Sequence, residues 1–256
     1  MRVFRLVVLA VLCYLVAMVV LFPAAPVVDR IRPQLGPVAL EGVSGKLFSG
    51  RIERVASTDD LLPLEASNVR WRLAPSALLQ GGGVHIELDA YGGTTTALVL
   101  RRWNGDIEVQ NIELRARAKS LEPLLPAPIA AFDGAIAADV ATVLLENQLL
   151  TRVDGEITWS EATLERPLAA SFGTIRITVS PNTDSTHAGT LSASGGDVDG
   201  EGDFTLAPNG DFTLDLLLTP AASAPAELVN SLRSIVQPDA SGRYRVQQSG
   251  NVNRLL

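Results

Sequence analysis

A long apolar run at the N-terminus is the feature that most restricts how this chain can be arranged. Residues 6–22 contain no charged side chain, and Val3 and Phe4 extend the run around Arg5. Some 20 helical residues at about 1.5 Å each cover roughly 30 Å, the hydrocarbon thickness of a bilayer. We therefore predict a short cytoplasmic start and a transmembrane helix within residues 1–22. The residues predicted to anchor it are Leu6, Leu9, Leu12, Leu15, Val19 and Phe22.

Charges on either side of the run predict its orientation. Arg2 and Arg5 precede it, and the first charges after it are Asp29 and Arg30. Because positive residues are enriched on the cytoplasmic side of membrane helices, the N-terminus is expected in the cytoplasm. The C-terminal region is then expected on the far side of the membrane.

A cleaved signal peptide is the alternative to an uncleaved anchor. Such a peptide needs about 7–15 apolar residues and a small-x-small cleavage site. The run is longer here, and the only plausible site, residues 23–25 (PAA) before Pro26, has proline at two unfavourable positions. A lipoprotein site at Cys13 would need a small residue before it, where Leu12 stands. We favour the uncleaved anchor, followed by a semi-rigid proline-rich stalk over residues 23–38.

Composition narrows the class of the remaining chain. The formal net charge of −7 argues against nucleic-acid binding, which normally needs a basic face. The one cysteine, Cys13, lies in the apolar run, so no disulfide framework or thiolate metal site is expected. Charged residues make up 19% of the chain and aromatic residues 5%, while Gly and Pro are plentiful. This balance favours many short strands joined by turns.

Alternation of apolar and polar residues predicts antiparallel strands. It is strict in residues 84–90 (VHIELDA) and 112–119 (IELRARAK), and it recurs at residues 204–206. One buried face and one wet face are typical of antiparallel sheets. Asn-Gly pairs at 104–105 and 209–210 lie between such runs and favour tight hairpins. The fold is therefore predicted to be mainly β, an antiparallel meander.

The sequence also indicates an internal duplication within the meander. Four short segments recur in the same order at nearly constant spacing: residues 45–49 with 155–160, 63–67 with 167–171, 104–109 with 209–214, and 134–136 with 242–244. We therefore predict two β repeats, residues 39–150 and 151–256. Helical spacing occurs in residues 226–237, whereas prolines interrupt residues 121–132 and leave a short helical turn at best.

No metal or cofactor site is predicted. Neither histidine, His85 or His187, has a ligand partner at a suitable spacing, and His85 lies on the polar face of its strand. Acidic residues alternate through residues 197–203 (DVDGEGD). A calcium loop beginning at Asp197 would need a carboxylate where Pro208 stands. We interpret these acidic residues as the wet face of a strand near a turn.

No catalytic residue is predicted either, so the chain is not expected to be an enzyme. It has no G-x-S-x-G motif, and Cys13 lies in the predicted membrane segment. Residues 42–46 (GVSGK) weakly resemble a phosphate-binding loop. They lack its first glycine, and Leu47 replaces the Ser or Thr that would hold magnesium.

Surfaces for binding other proteins remain. Edge strands of an open sheet can pair with partner strands. Trp71 and Trp103 each adjoin arginines, and together they form the candidate interaction surface. The alternative is that both indoles pack in the core while the arginines extend outward.

The order of these segments resembles a known family. Residues 42–51 (GVSGKLFSGR) are similar to the opening signature of protein N of the general (type II) secretion pathway, in which members usually carry Gly-Thr-Leu-Trp-Ser-Gly. Lys46 and Phe48 replace the Thr and Trp here. Residues 68–79 (NVRWRLAPSALL) resemble the next block of the family, and residues 241–246 (SGRYRV) resemble its closing block.

The resemblance implies a bitopic inner-membrane subunit with a β-rich periplasmic region. Such a subunit supports export of folded proteins across the outer membrane. Its implied partners are other inner-membrane secretion subunits, the outer-membrane secretin and the lipid bilayer, without cofactors. The rival interpretation is a lipid-handling protein, because duplicated amphipathic meanders can also form an apolar trough for acyl chains. A continuous exposed apolar groove would favour that rival. The sequence leaves the oligomeric state open.

Overall fold

The protein is described by a computed structural model that covers residues 14, 18, 21–32, 36, 38–57, 65–79, 81–124, 131–146, 149–166, 168–182 and 186–251. The predicted anchor residues Leu6, Leu9, Leu12, Leu15 and Val19 lie outside these described residues, whereas Phe22 lies within them. No helix in the covered ranges is both long enough and apolar enough to cross a membrane. The transmembrane helix stays a prediction.

In the described ranges, fourteen strands form one antiparallel sheet, and nearly every strand pairs with its neighbours in sequence. The order is β1-β3-β4, and from β4 to β14 the strands follow one another in sequence order. Strand β2 lies on the same side of β3 as β1 and pairs with the first residues of β3. The strands are β1 (Val38–Glu41), β2 (Ser44–Lys46), β3 (Ser49–Ser57), β4 (Glu65–Leu73), β5 (Gly83–Ala90), β6 (Gly93–Arg101), β7 (Ile107–Arg117), β8 (Ala131–Glu146), β9 (Leu149–Arg166), β10 (Ala170–Pro181), β11 (His187–Ser194), β12 (Val198–Leu206), β13 (Asp211–Pro220) and β14 (Tyr244–Asn251). The predicted mainly β antiparallel fold is confirmed.

Helical segments are short. Helix α1 (Ala25–Ile31) precedes the sheet, and helix α2 (Ala226–Ile235) connects β13 to β14. The 3-10 turns Pro75–Leu79 and Ala118–Leu124 connect β4 to β5 and follow β7, respectively. Helix α2 falls where the sequence predicts a helix. The segment predicted as a stalk contains α1, and Ala24 beside α1 is buried against the sheet, so extended backbone does not run through it.

The two Asn-Gly hairpins have the same structure. In the β6–β7 turn the Asp106 amide donates to Asn104 Oδ1 at 3.2 Å, and Gly105 has a φ of +96°. In the β12–β13 turn the Asp211 amide donates to Asn209 Oδ1 at 3.1 Å, and Gly210 has a φ of +87°. Positive φ costs glycine little, and the asparagine side chain stabilises the turn.

One recurring pair of sequence segments falls at the same kind of position in the meander: residues 104–109 lie at the β6–β7 turn and residues 209–214 at the β12–β13 turn. Another pair does not, because residues 45–49 span the β2–β3 turn whereas residues 155–160 lie inside β9. The duplication stays a prediction. The boundary at 150/151 falls inside β9, and both halves belong to one continuous sheet.

Some of the buried apolar residues in the described ranges form two small clusters. One contains Leu228 of α2 packed with Ala170 and Val198 of the sheet, next to Phe172 and Leu218. The other lies on the opposite face of the sheet. It joins Ala74, Ala77 and Leu100, with Leu98 against them. The sheet is thus a single layer with local covers on each face.

Candidate interaction surfaces

One face of the sheet is apolar across most of its width, and we call it the apolar face. Strand register aligns its side chains in transverse rows. The longest row runs from β5 to β14 through Leu88, Thr95, Leu114, Ala138, Ile157, Ile177, Leu191, Gly202, Leu216 and Val246. The apolar faces of the two halves therefore join side by side and do not close on each other.

Helix α2 covers only part of the apolar face. Its Leu228 and Leu232 pack near Val198 and Leu218, at one end of β12 and β13. Farther across the sheet most of the apolar side chains are half-buried, and Ile157 is exposed. A substantial apolar strip thus lies open among the described residues.

The opposite face, which we call the polar face, carries cross-strand ion pairs. Cross-strand pairs of opposite charge stabilise neighbouring strands, although exposed pairs contribute little. The pairs are Arg54–Glu65, Arg70–Glu87, Arg115–Asp139, Arg176–Glu156 and Arg245–Asp215. These pairs agree with the observed register of the sheet and leave a wet surface.

Asp215 lies directly opposite Asp203, so a neutralising partner is needed there. Arg245 supplies it, with its Nε and Nη2 at 2.9 and 2.5 Å from the two carboxylate oxygens. Gln247 Nε2 donates to the same carboxylate at 2.9 Å. Hydrogen bonds from Arg245 and then Gln247 lower the pKa of Asp215 from 3.8 to about 2.

We expect Asp215→Asn to lower the free energy of unfolding at pH 7. The carboxylate has a lower pKa in the folded state than in the unfolded chain. Its contribution is therefore present above pH 3.8 and is lost as the pH falls through about 2. Chemical unfolding at several pH values should show the wild type and the variant converging near pH 2. In Arg245→Gln, NMR titration should find the pKa of Asp215 raised towards 3.8; an unchanged titration would contradict the assignment.

Arg102 and Glu108 form a partly buried pair beside the β6–β7 turn. The guanidinium donates to Glu108 Oε2 through Nε at 3.0 Å and through Nη2 at 2.7 Å. Burial disfavours the charged carboxylate, but hydrogen bonds from Gln110 and Arg102 outweigh it and lower the pKa of Glu108. The pair holds the turn that carries Trp103.

His187 is a buried group that sequence patterns did not distinguish from His85. It begins β11 on the apolar face, between Pro181 of β10 and Leu206 of β12, and is 0% exposed. Within the described part of the chain, neither ring nitrogen has a hydrogen-bond partner. Alternation of side chains along β11 places His187 on the same face as Leu191, and this was the sequence signal that could have predicted its position. A buried polar group without partners destabilises the folded state.

Replacing His187 with leucine should therefore raise the free energy of unfolding by about 1–3 kcal/mol. Leucine has a similar volume and leaves no unsatisfied nitrogen. Thermal unfolding of the full chain measures the effect. His85→Leu is the matched control, because His85 is exposed on the polar face and its replacement should change the midpoint little. A lower midpoint for His187→Leu would show that the imidazole has a partner in solution.

The two tryptophans of the candidate surface lie in different settings. Trp71 of β4 covers Gly50 of β3, where a Cβ atom would come within 2.2 Å of the indole, and its Nε1 donates to the Leu47 carbonyl at 3.1 Å. Trp103 lies in the β6–β7 turn and is 77% exposed, with its Nε1 donating to the Leu79 carbonyl at 3.2 Å. The alternative of core packing therefore does not hold for Trp103, while Trp71 is half-buried on the apolar face.

The acidic stretch is distributed over a strand and its preceding turn. Asp197 Oδ2 accepts the Ser171 amide at 2.7 Å, and Asp199 Oδ1 accepts the Gly195 amide at 3.2 Å. Asp199, Glu201 and Asp203 are exposed along the polar face of β12, as predicted. Within the described ranges, no group of three or more His, Cys, Asp and Glu side chains could hold a metal ion.

The two edges of the sheet differ. The N-terminal segment covers the β1–β2 edge, because Ala24 N–H donates to the Gly45 carbonyl at 3.1 Å and Leu47 N–H to the Phe22 carbonyl at 2.9 Å. Arg32 Nη2 donates to the Leu40 carbonyl of β1 at 2.9 Å. At the other edge β14 pairs with β13, and no other described strand pairs with it.

In the part of the chain that the structure describes, the protein is a broad single-layer sheet with an open apolar face and with β14 at one edge. Comparison with known proteins gives the family. The family model of type II secretion system (T2SS) protein N matches residues 36–247. The chain belongs to the type II secretion system protein N family.

Two relatives extend the match over most of the chain. Type II secretion system protein N of Aeromonas hydrophila is 25% identical over 252 residues, covering 95% of this chain and 96% of that protein. Type II secretion system protein N of Vibrio cholerae serotype O1 is 26% identical over 224 residues, covering 83% and 84%. No solved structure matches the chain significantly. Family membership implies that this chain is a component of a secretion system with other secretion subunits as partners.

Proposed function

We propose that this chain is a non-enzymatic, single-pass inner-membrane subunit of the type II secretion system. Residues 6–22 anchor it, the N-terminus is cytoplasmic, and the β sheet lies in the periplasm. The sheet contacts other secretion subunits, in the inner-membrane platform or at the outer-membrane secretin, and so supports export of folded proteins. Membership of the protein N family over residues 36–247 is the observation that carries this proposal.

Trp103 is the proposed contact residue with the clearest exposure. Its indole extends from a turn held by the Arg102–Glu108 pair, so its orientation is fixed before a partner binds. Leu79, which accepts the indole hydrogen bond, is also exposed and enlarges the apolar area. Exposed aromatic residues on a rigid turn are suited to act as interface anchors.

Co-purification from solubilised membranes tests the secretion role. Full-length chain should retain at least one other secretion subunit, and Trp103→Ala should reduce that recovery several-fold. Ile235→Ala is the matched control, because Ile235 is also a large exposed apolar residue, 73% exposed, but lies on α2. Recovery of no secretion subunit with the wild type would contradict the proposal.

Topology requires its own experiment. A reporter protein that works only in the periplasm should be active when it is fused after Leu256. In a separate variant, charged residues introduced into the apolar run should release the chain from the membrane. Activity confined to cytoplasmic reporters at the same position would contradict the proposed orientation.

Lipid handling is the second candidate, favoured by the continuous apolar face. Ile177 lies near the middle of its longest row, half-buried and without α2 above it. If acyl chains bind there, phospholipid should co-purify with the full chain and be detected by mass spectrometry. Ile177→Asp should remove it, whereas Ser180→Asp on the same strand should not, because Ser180 is exposed on the polar face. Lipid recovery equal in both variants and in wild type would indicate carry-over from the membrane.

A further inference from the structure

Among the described residues, the β14 edge of the sheet differs from the covered β1–β2 edge in a way that points to a partner strand. Exposed edge strands present unpaired backbone groups, and natural proteins usually block them. The β1–β2 edge is blocked by backbone hydrogen bonds from Phe22 and Ala24 and by the Arg32 side chain. Strand β14 has no comparable cover among the described residues.

Strand β14 itself lacks the usual protective features. Its sequence, YRVQQSGN, contains neither proline nor lysine. Its pairing with β13 continues without a bulge from Tyr244 to Asn251. Its charged residue, Arg245, is neutralised by Asp215 of β13. The outer edge is therefore long, regular and electrically neutral, which suits addition of another strand.

The sequence of β14 is complementary to itself in the antiparallel direction. With Gln247 opposite the Gln247 of another molecule, Val246 faces Gln248, Arg245 faces Ser249, and Tyr244 faces Gly250. No like charges are opposed in this register. A two-fold axis through Gln247 relates the strands and keeps both apolar faces on the same side.

We propose that two copies of this chain associate through antiparallel pairing of β14 with β14, centred on Gln247. The joined molecules form one continuous sheet whose apolar faces merge. Both edges then meet the requirement that edge strands be paired or covered, since the β1–β2 edge of each copy is already blocked. The dimer is independent of which secretion subunit or lipid the sheet contacts.

Site-directed cross-linking of the full chain tests this pairing. In a Cys13→Ser background, Gln247→Cys should form a disulfide-linked dimer under mild oxidation. Residues directly opposite in antiparallel strands have Cα atoms about 4.5–5.5 Å apart, which a disulfide can span. Ser249→Cys is the matched control: it is equally exposed on the same face but lies far from its counterpart in this register. Absence of the 247 dimer, or equal dimer yields at both positions, overturns the proposal.

A charge pair provides a second test that leaves the fold intact. Ser249 faces Arg245 of the other copy, so Ser249→Lys opposes like charges twice in each dimer. Its dimer dissociation constant should rise about five- to tenfold, whereas Ser249→Glu should not weaken the dimer. Analytical ultracentrifugation of the detergent-solubilised full chain measures both. Equal effects of Lys and Glu, a wild type that is monomeric at all concentrations, or occupation of the edge by a different protein overturns the proposal.

Discussion

Gly93→Ala should lower the thermal midpoint of the protein by about 6–12 °C. A Cβ atom at Gly93, the first residue of β6, would come within 1.8 Å of the Arg115 carbonyl oxygen and 2.5 Å of its carbonyl carbon. Both obstacles are backbone atoms of β7, so the two strands must separate to admit the methyl group. Overpacking of this kind costs about 3 kcal/mol, and a domain of this size loses about 2–4 °C per kcal/mol.

Gly82→Ala is the matched control. Gly82 precedes β5, and a Cβ atom added there would meet nothing within 4 Å, so alanine should be tolerated with a midpoint close to wild type. Thermal unfolding followed by circular dichroism compares the two variants. Equal midpoints for Gly93→Ala and wild type would show that β6 and β7 are not as close as described.

The second large effect is expected at the contact between α2 and the sheet. Leu228 is 7% exposed and packs against Ala170 and Val198. Leu228→Ala removes most of that side chain and leaves a cavity, at a cost of about 3 kcal/mol. We expect the thermal midpoint to fall by about 6–12 °C and the amides of α2 to exchange hydrogen faster.

Ile235→Ala provides the comparison on the same helix, because Ile235 is 73% exposed and its replacement should change stability by less than about 0.5 kcal/mol. Hydrogen exchange measured by mass spectrometry resolves the helix from the strands. If both variants behave alike, α2 does not depend on Leu228 for its attachment to the sheet.

Local patterns predicted several of the strands but not how the two predicted repeats join. Strict alternation identified β5 and much of β7, and the Asn-Gly pairs identified two hairpins, because these signals come from residues close in sequence. The join depends on β8 and β9, whose register shifts at several bulges. A bulge inserts one residue and reverses which face the following side chains occupy, so alternation is interrupted there.

The surfaces were predicted less completely than the strands. Trp103 was predicted as a contact residue only because arginines adjoin it in the sequence. Its exposure depends on the geometry of the β6–β7 turn, which the Arg102–Glu108 pair holds. The burial of His187 depends on strands on both sides of β11, and alternation within β11 indicates only the face on which His187 lies. The cover over the β1–β2 edge comes from Phe22, Ala24 and Arg32, which flank helix α1. The sequence predicted Phe22 as a membrane anchor and the other two residues as part of a stalk.

The order of strands in the sheet has a consequence for how the polypeptide acquires its structure. In the described chain, strands hydrogen-bond to strands that lie next to them in sequence, with β2 beside β1 on β3. Contacts that are close along the chain form with little loss of loop entropy. Each hairpin can therefore add to the growing sheet as soon as both of its strands are available, without waiting for a segment that has yet to be synthesised.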